Sequence, residues 1–162
     1  MGVEIERKYL IADLGVVAGR NGVRIAQGYL AVDPERTVRV RIVGLHAYLT
    51  VKGITSADGT SRHEFEYEIP LSDAEQMLDR LALRPFVEKT RYRVVVGALA
   101  WEIDVFVGAN EGLVVAEVEL PSRSTEIALP EWVGKEVTGD PRYYNANLVL
   151  RPYSRWDEPG PG

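Results

Sequence analysis

The sequence predicts an α+β fold: a closed antiparallel β-barrel with a polar, charged lumen and a few helices outside it. Three observations lead there. Seven segments alternate charged and apolar residues with a period of two, the pattern of strands with one polar and one apolar face. Most of these segments carry a single sign of charge, whereas the wet face of an open sheet mixes Thr, Ser, Gln, Lys and Glu. Basic and acidic strands arranged around one volume explain the segregation, and closing the sheet also removes its exposed edges.

Val3 to Leu10 opens the chain, with Glu4, Glu6 and Lys8 on one face and Val3, Ile5, Arg7 and Tyr9 on the other. Same-face neighbours on a strand lie roughly 6–7 Å apart, so two glutamates there can grip one hard cation. Ala12 to Asn21 reads as a loop or a short helix. Gly22 to Val32 is a strand carrying Arg24, Gln27 and Tyr29, and Asp33-Pro34-Glu35 turns the chain. Thr37 to Val43 sets Arg39 and Arg41 against a β-branched face. Gly44 to Ala47 turns into Tyr48 to Gly53, which carries Lys52, and the two strands form a hairpin.

After a loop at Ser56 to Ser61, the strand from Arg62 to Pro70 puts Glu64, Glu66 and Glu68 on one face. Ser72 and Glu75 have capping-box spacing before Ala74, Met77, Leu78 and Leu81, which predicts a helix with Ser72 as its N-cap and Pro85 as its stop. Val87 to Val96 carries Lys89, Arg91 and Arg93, Leu99 to Phe106 carries Glu102 and Asp104, and Leu113 to Leu120 carries Glu117 and Glu119. Thr125 to Trp132 is expected as a short helix. Asp140-Pro141 starts another that runs to about Val149. One domain spans 1–151, and the tail 152–162 is expected to be disordered.

Composition excludes several functions. At 162 residues with no cysteine, the chain can bury a core without disulfides, and it can form neither a thiolate metal site nor a cysteine nucleophile. Two histidines, His46 and His63, leave almost nothing for a histidine cage or a Ser-His-Asp triad, and His63 reads as structural or exposed. A net charge of −5 argues against a nucleic-acid partner. No P-loop or dinucleotide fingerprint is present. With no membrane-length apolar run and no targeting signal, a cytoplasmic monomer or homodimer is expected.

Six cations, Lys8, Arg39, Arg41, Lys52, Lys89 and Arg91, suit a small ligand of dense negative charge, such as a chain of phosphates. Carboxylates without histidine or cysteine select hard ions such as Mg2+ or Mn2+.

These residues resemble the CYTH family, the triphosphate tunnel metalloenzymes, whose ExExK signature is matched by Glu4-Ile5-Glu6-Arg7-Lys8. The likeness continues through Tyr29, Arg39-x-Arg41, Lys52-Gly53, Glu64-x-Glu66, Lys89-x-Arg91, Trp101-x-x-Asp104, Glu117-x-Glu119 and Asp140-x-Arg142-Tyr143. The resemblance implies an eight-stranded tunnel that hydrolyses a triphosphate, inorganic triphosphate above all, with divalent metal help. It implies metal ligation by Glu4, Glu6, Glu117 and Glu119, assisted by Asp104. It further implies phosphate binding by the six cations, with Glu64 and Glu66 in the same substrate site. Lys89, Tyr29 and Lys8 are the catalytic candidates, with Tyr29 and Lys89 moving protons and positioning water. Arg7, Arg62, Arg93 and Glu68 are read equally as surface or supporting residues. Alternatives are adenylate cyclisation, thiamine triphosphate hydrolysis using Trp101 and Trp132 as an aromatic shelf, and a non-catalytic polyphosphate or nucleotide binder. The acidic strands argue against the last, since an anion binder gains nothing from them without metal.

Overall fold

The computed structural model describes residues 2–157 and contains nine strands. They are β1 (Gly2–Ile11), β2 (Val23–Asp33), β3 (Arg36–Val43), β4 (His46–Gly53), β5 (Ser61–Ile69), β6 (Val87–Val96), β7 (Leu99–Val107), β8 (Val114–Glu119) and β9 (Val133–Glu136). Two α-helices, α1 (Leu71–Arg80) and α2 (Asn145–Leu150), accompany them. Eight strands close a ring in the order β5-β4-β3-β2-β6-β7-β8-β1, completed by pairing of β1 with β5, and every pairing is antiparallel.

Closure depends on how β1 divides its edges. The Ile5 carbonyl accepts from the Leu120 amide on the β8 side. On the other edge the Glu6 amide donates to the Thr60 carbonyl near β5, and the Lys8 carbonyl accepts from the Val137 amide just past β9. The edge of β1 that β5 leaves uncovered is therefore taken by β9, which satisfies backbone groups that would otherwise be unpaired. β9 was not anticipated from its sequence, because Val133-Gly134-Lys135-Glu136 is too short to show a period.

Because directly opposed residues share a face, the registers carry one inward parity around the ring. Lys8 pairs with Glu117, Glu117 with Glu102, Arg91 with Asp104, Lys89 with Ile25, Gln27 with Arg41 and Thr50 with Glu66. Apolar residues of the opposite parity form two outer clusters. Val40 and Ala47 lie under Ala74 and Leu78 of α1. That helix sits close because Gly28 leaves room: a Cβ there would come within 2.8 Å of Leu78 and 2.9 Å of Ala82. Tyr9, Trp101, Ile103, Ala116 and Val118 are covered by Val16, Val17, Ile127 and Trp132. One end of the lumen is apolar, where Tyr29, Val87, Phe106 and Val115 meet Ala146, Leu148 and Val149 of α2 and close the barrel.

Several local expectations are corrected. Ser72 is inside α1 and does not cap it; Pro70 holds the cap position and its carbonyl accepts from the Asp73 and Ala74 amides. The helix starts as soon as β5 ends, so no residue intervenes to bring Ser72 to the cap. Residues 125–132 form no helix, because Ile127 and Trp132 are drawn individually onto the outer cluster and the Pro130 carbonyl accepts from the Val133 amide leading into β9. The helix after Asp140 is split: Asp140 caps a 3-10 turn at Pro141–Tyr143, Tyr144 is extended, and α2 follows. Disorder was expected from Pro152, yet Tyr153–Arg155 form a 3-10 turn and Trp156 packs edge-on against Tyr143 and Tyr153. The remainder of that expected tail, 158–162, lies outside the described residues. Trp101 is buried on the outer wall against Tyr9 and Trp132, so neither tryptophan offers a shelf to the lumen.

Candidate active site

The lumen holds a cavity of about 460 Å³. Lining it are Glu4, Glu6, Lys8, Tyr29, Arg39, Arg41, Lys52, Glu64, Glu66, Lys89, Arg91, Glu117 and Glu119, every sequence-derived candidate except Asp104. Strand alternation places them there: each belongs to the inward parity of its strand, and the ring converges them.

The basic wall is held by carboxylates that stand behind or beside it. Lys89 is 1% exposed, with Nζ 2.7 Å from Asp104 Oδ2 and donating to Asn145 Oδ1 at 3.2 Å. Burial pushes this amine down to about 8, with Arg91 acting in the same direction and Asp104 opposing both. The direction agrees with a lysine crowded by cations, but desolvation is the larger cause. Asp104 does not line the cavity; its carboxylate is engaged by the two cations beside it. Its Oδ1 accepts from Arg91 Nε at 2.8 Å, while its Oδ2 accepts from Arg91 Nη2 at 3.0 Å and faces Lys89. Although burial alone would raise the Asp104 carboxyl, Lys89 and Arg91 keep it below its ordinary value.

Across the lumen, Arg39 Nη2 and Arg41 Nη2 each lie 3.5 Å from Glu66 Oε2, while Thr50 Oγ1 donates to that same oxygen at 2.7 Å. The Nε atoms of both arginines are buried without a hydrogen-bond partner among the described residues. Burial, then the neighbouring Arg39 charge, lowers the Arg41 guanidinium below its ordinary value. Arg39 Nη2 also donates to Thr50 Oγ1 at 3.2 Å, and two like charges sharing one carboxylate oxygen at 3.5 Å are poised for a polyanion. Lys52 Nζ bridges Glu4 at 3.2 Å and Glu64 at 3.3 Å. Arg62 Nε adds to Glu4 at 3.7 Å, which puts this residue at the site. Arg93 is exposed, Arg7 pairs outside with Glu136, and Glu68 pairs with His46 at the exposed end.

The acidic wall consists of carboxyl pairs. Glu6 stands beside Glu117, and Glu4 beside Glu64, close enough for each to move the other's titration. Burial, with Glu117 and Glu4 nearby, pushes the Glu6 carboxyl up to about 8. Burial opposes the Glu117 charge too, but Lys8, Arg91 and Lys89 hold it well below the usual carboxylate range. The two titrate as a pair in which the Glu6 carboxyl keeps its proton more strongly than that of Glu117. Lys8 Nζ stands 3.4 Å from Glu117 and donates to the Tyr143 carbonyl at 3.1 Å. Burial opposes the Lys8 charge, yet Glu117 and Glu6 together hold the ammonium above its ordinary value.

Among the described residues no three acidic or histidine side chains stand close enough to form a ready-made metal cage. The donor set still fits a hard ion: Mg2+ keeps several waters and uses one or two carboxylates together with phosphate oxygens. Glu6 and Glu117 are diagonal neighbours on the β1–β8 ladder, Glu6 opposite Glu119 and Glu117 opposite Lys8, and a divalent cation between such carboxylates would relieve the repulsion that raises the Glu6 carboxyl.

Sequence reasoning missed Asn145, Thr50 and Tyr144 at this cavity. Thr50 was visible only as a strand position on the Lys52 face. Asn145 and Tyr144 carry no periodic signal, because they arrive where the chain folds back to start α2.

A closed barrel with cationic and acidic walls facing one cavity defines a protein suited to a small polyanion and a hard cation. A CYTH domain matches residues 2–153, and the chain belongs to the CYTH family. It is 46% identical over 158 residues to an inorganic triphosphatase of Acetivibrio thermocellus, covering 98% of this chain and 100% of that protein. An inorganic triphosphatase of Nitrosomonas europaea is 38% identical over 152 residues, covering 91% and 97% of the two chains. The crystal structure of an inorganic triphosphatase superposes with a TM-score of 0.65 at 34% identity, covering 90% of this chain and 97% of that one.

Proposed function

We propose that this chain hydrolyses inorganic triphosphate to pyrophosphate and phosphate with Mg2+ or Mn2+. The observation that carries the reading is the single cavity in which Arg39, Arg41, Lys52, Lys89 and Arg91 face Glu4, Glu6, Glu117 and Glu119. Full-length similarity to two proteins named inorganic triphosphatase supports the substrate, and membership of a metal-dependent family supports the cofactor. No helix among the described residues is long and apolar enough to cross a membrane. A cytoplasmic monomer or homodimer is part of the proposal.

In this reading Arg39 and Arg41 leave their long contacts to Glu66 and fork onto phosphate oxygens, while Lys52 and Arg91 neutralise the rest of the chain. Glu4, Glu6, Glu117 and Glu119 would hold the divalent ion, which when bound withdraws charge from the phosphoryl oxygens. Water attacks the terminal phosphorus in line; a new P–O bond forms as the bridging P–O bond breaks, and pyrophosphate leaves. Lys89 in its neutral amine form, populated as pH approaches the value of about 8 to which burial lowers it, takes the proton from that water at Nζ and becomes the ammonium paired with Asp104. Tyr29 and Lys8 border the same space and orient the reacting end. The apolar floor under Tyr29 keeps bulk water out.

The test is to incubate the purified protein with inorganic triphosphate, ATP or thiamine triphosphate, each with Mg2+ or Mn2+, and follow phosphate, pyrophosphate and cyclic AMP. Phosphate release that is fastest from inorganic triphosphate is expected. No phosphate from any of the three would overturn the hydrolase reading, and cyclic AMP from ATP would replace it.

A further inference from the structure

Gln27 is 0% exposed, and both its Oε1 and its Nε2 are buried without a hydrogen-bond partner among the described residues. Buried side-chain polar atoms are paired in the large majority of cases, so a wholly unpaired amide marks a place kept for another purpose. It belongs to the inward face of β2, directly opposite Arg41 on β3 and Val87 on β6. Directly opposed residues bring their Cβ atoms to about 4.5–5.5 Å, within reach of a long side chain. Val87 is apolar and fully buried, and Ile25 and Tyr29 flank Gln27 on its own strand. Arg41 is therefore the polar side chain directly across from it. The two are also complementary: Arg41 Nε is a buried donor without an acceptor, and Gln27 Oε1 is a buried acceptor without a donor.

Arg41 lines the cavity and Gln27 does not; Gln27 flanks Arg41 from β2, while the guanidinium leans to the other side, over the Tyr48 ring at 5.8 Å. In the arrangement seen, Arg41 is tied to Glu66 only by one contact of 3.5 Å. We infer that Gln27 is a positioning residue for Arg41, accepting its Nε–H at Oε1 as the guanidinium turns from Glu66 to the substrate. A guanidinium held at Nε presents its two Nη groups together, the edge that grips a phosphate in two parallel bonds. Gln27 thereby sets how tightly the phosphate chain is held without touching it.

The inference rests on the cavity being the triphosphate site. Calorimetric Kd for inorganic triphosphate without metal, and kcat and KM with Mg2+, are measured for the wild type, Gln27→Met, Arg41→Lys and the double variant. Gln27→Met is expected to raise Kd and KM at least threefold with kcat within twofold, and to melt no lower than the wild type, since it removes an unpaired buried amide. Lysine has no Nε–H of this kind, so in the Arg41→Lys background Gln27→Met adds nothing further. Gln27→Leu replaces Gln27→Met in the comparison if the latter does not fold. Unchanged Kd and KM in the Gln27 variant, or the same increase in both backgrounds, overturns the inference while leaving the site reading intact. Failure of the wild type to bind inorganic triphosphate overturns both.

Discussion

Lys89 and Asp104 face each other at 2.7 Å on adjacent strands, both about 1% exposed, and Arg91 closes on the same carboxylate with two bonds. One acidic side chain therefore holds two of the cations that border the cavity. Removing half of a buried ion pair is far costlier than the net worth of the pair, because the remaining charge is stranded.

Asp104→Asn is accordingly expected to destabilise the protein by about 3–5 kcal/mol and to lower kcat. Its half-saturating Mg2+ concentration should stay within twofold of wild type, because the carboxylate is committed to cations. Urea unfolding together with a Mg2+ titration of activity checks both halves. A tenfold rise in the Mg2+ requirement would restore Asp104 as a ligand.

Lys89 also links stability to pH. Its amine lies near 8 in the folded protein against 10.5 ordinarily, so between these values the unfolded chain binds more protons than the folded one. The cost of burying the charge is fully present below pH 8 and is relieved as pH rises toward 10.5. Unfolding free energies of wild type minus Lys89→Met, taken at pH 7.5, 8.5 and 9.5, should move in favour of the wild type by at most about 1.4 kcal/mol per pH unit. A flat difference would show an unshifted lysine. In the hydrolase reading, the same variant loses the limb of activity that rises near pH 8.

The two walls should fail differently. Arg39→Ala is expected to raise KM for inorganic triphosphate about tenfold or more, the equivalent of one charge-assisted hydrogen bond. Glu4→Gln is expected mainly to raise the Mg2+ concentration needed for half-maximal rate. Steady-state kinetics at varied substrate and varied metal separate the two. Wild-type parameters in both variants would remove these residues from the site.

On the outer surface, Gly28→Val should destabilise without touching the chemistry. The added side chain runs into Leu78 and Ala82 of α1 and costs on the order of 1–3 kcal/mol, the usual range for overpacking. KM should be unchanged, because Gly28 points away from the lumen. A lowered melting temperature with unaltered KM is the expected pair of results.

Alternation along the chain is enough to reveal the eight strands of the ring, their inward parity and hence the content of the lumen. A period of two is a local property of the chain, and charged residues such as Glu4, Arg39 and Lys89 cannot all turn toward apolar cover. How those charges pair depends on contacts between strands distant in the chain. Asp104 has the same strand address as a metal ligand, yet the register of β6 with β7 sets it under Arg91 and Lys89. The register of β1 with β8 sets Glu6 opposite Glu119 and Lys8 opposite Glu117, more than one hundred residues apart in the chain, and so makes Glu6 and Glu117 diagonal neighbours. Capping by Pro70, the short β9 and the packing of Trp156 were equally invisible, since each answers a need created elsewhere in the fold: an abrupt strand end, an uncovered edge of β1, an apolar surface beside Tyr143. Local alternation states which way a side chain points, and long-range register states what it meets there.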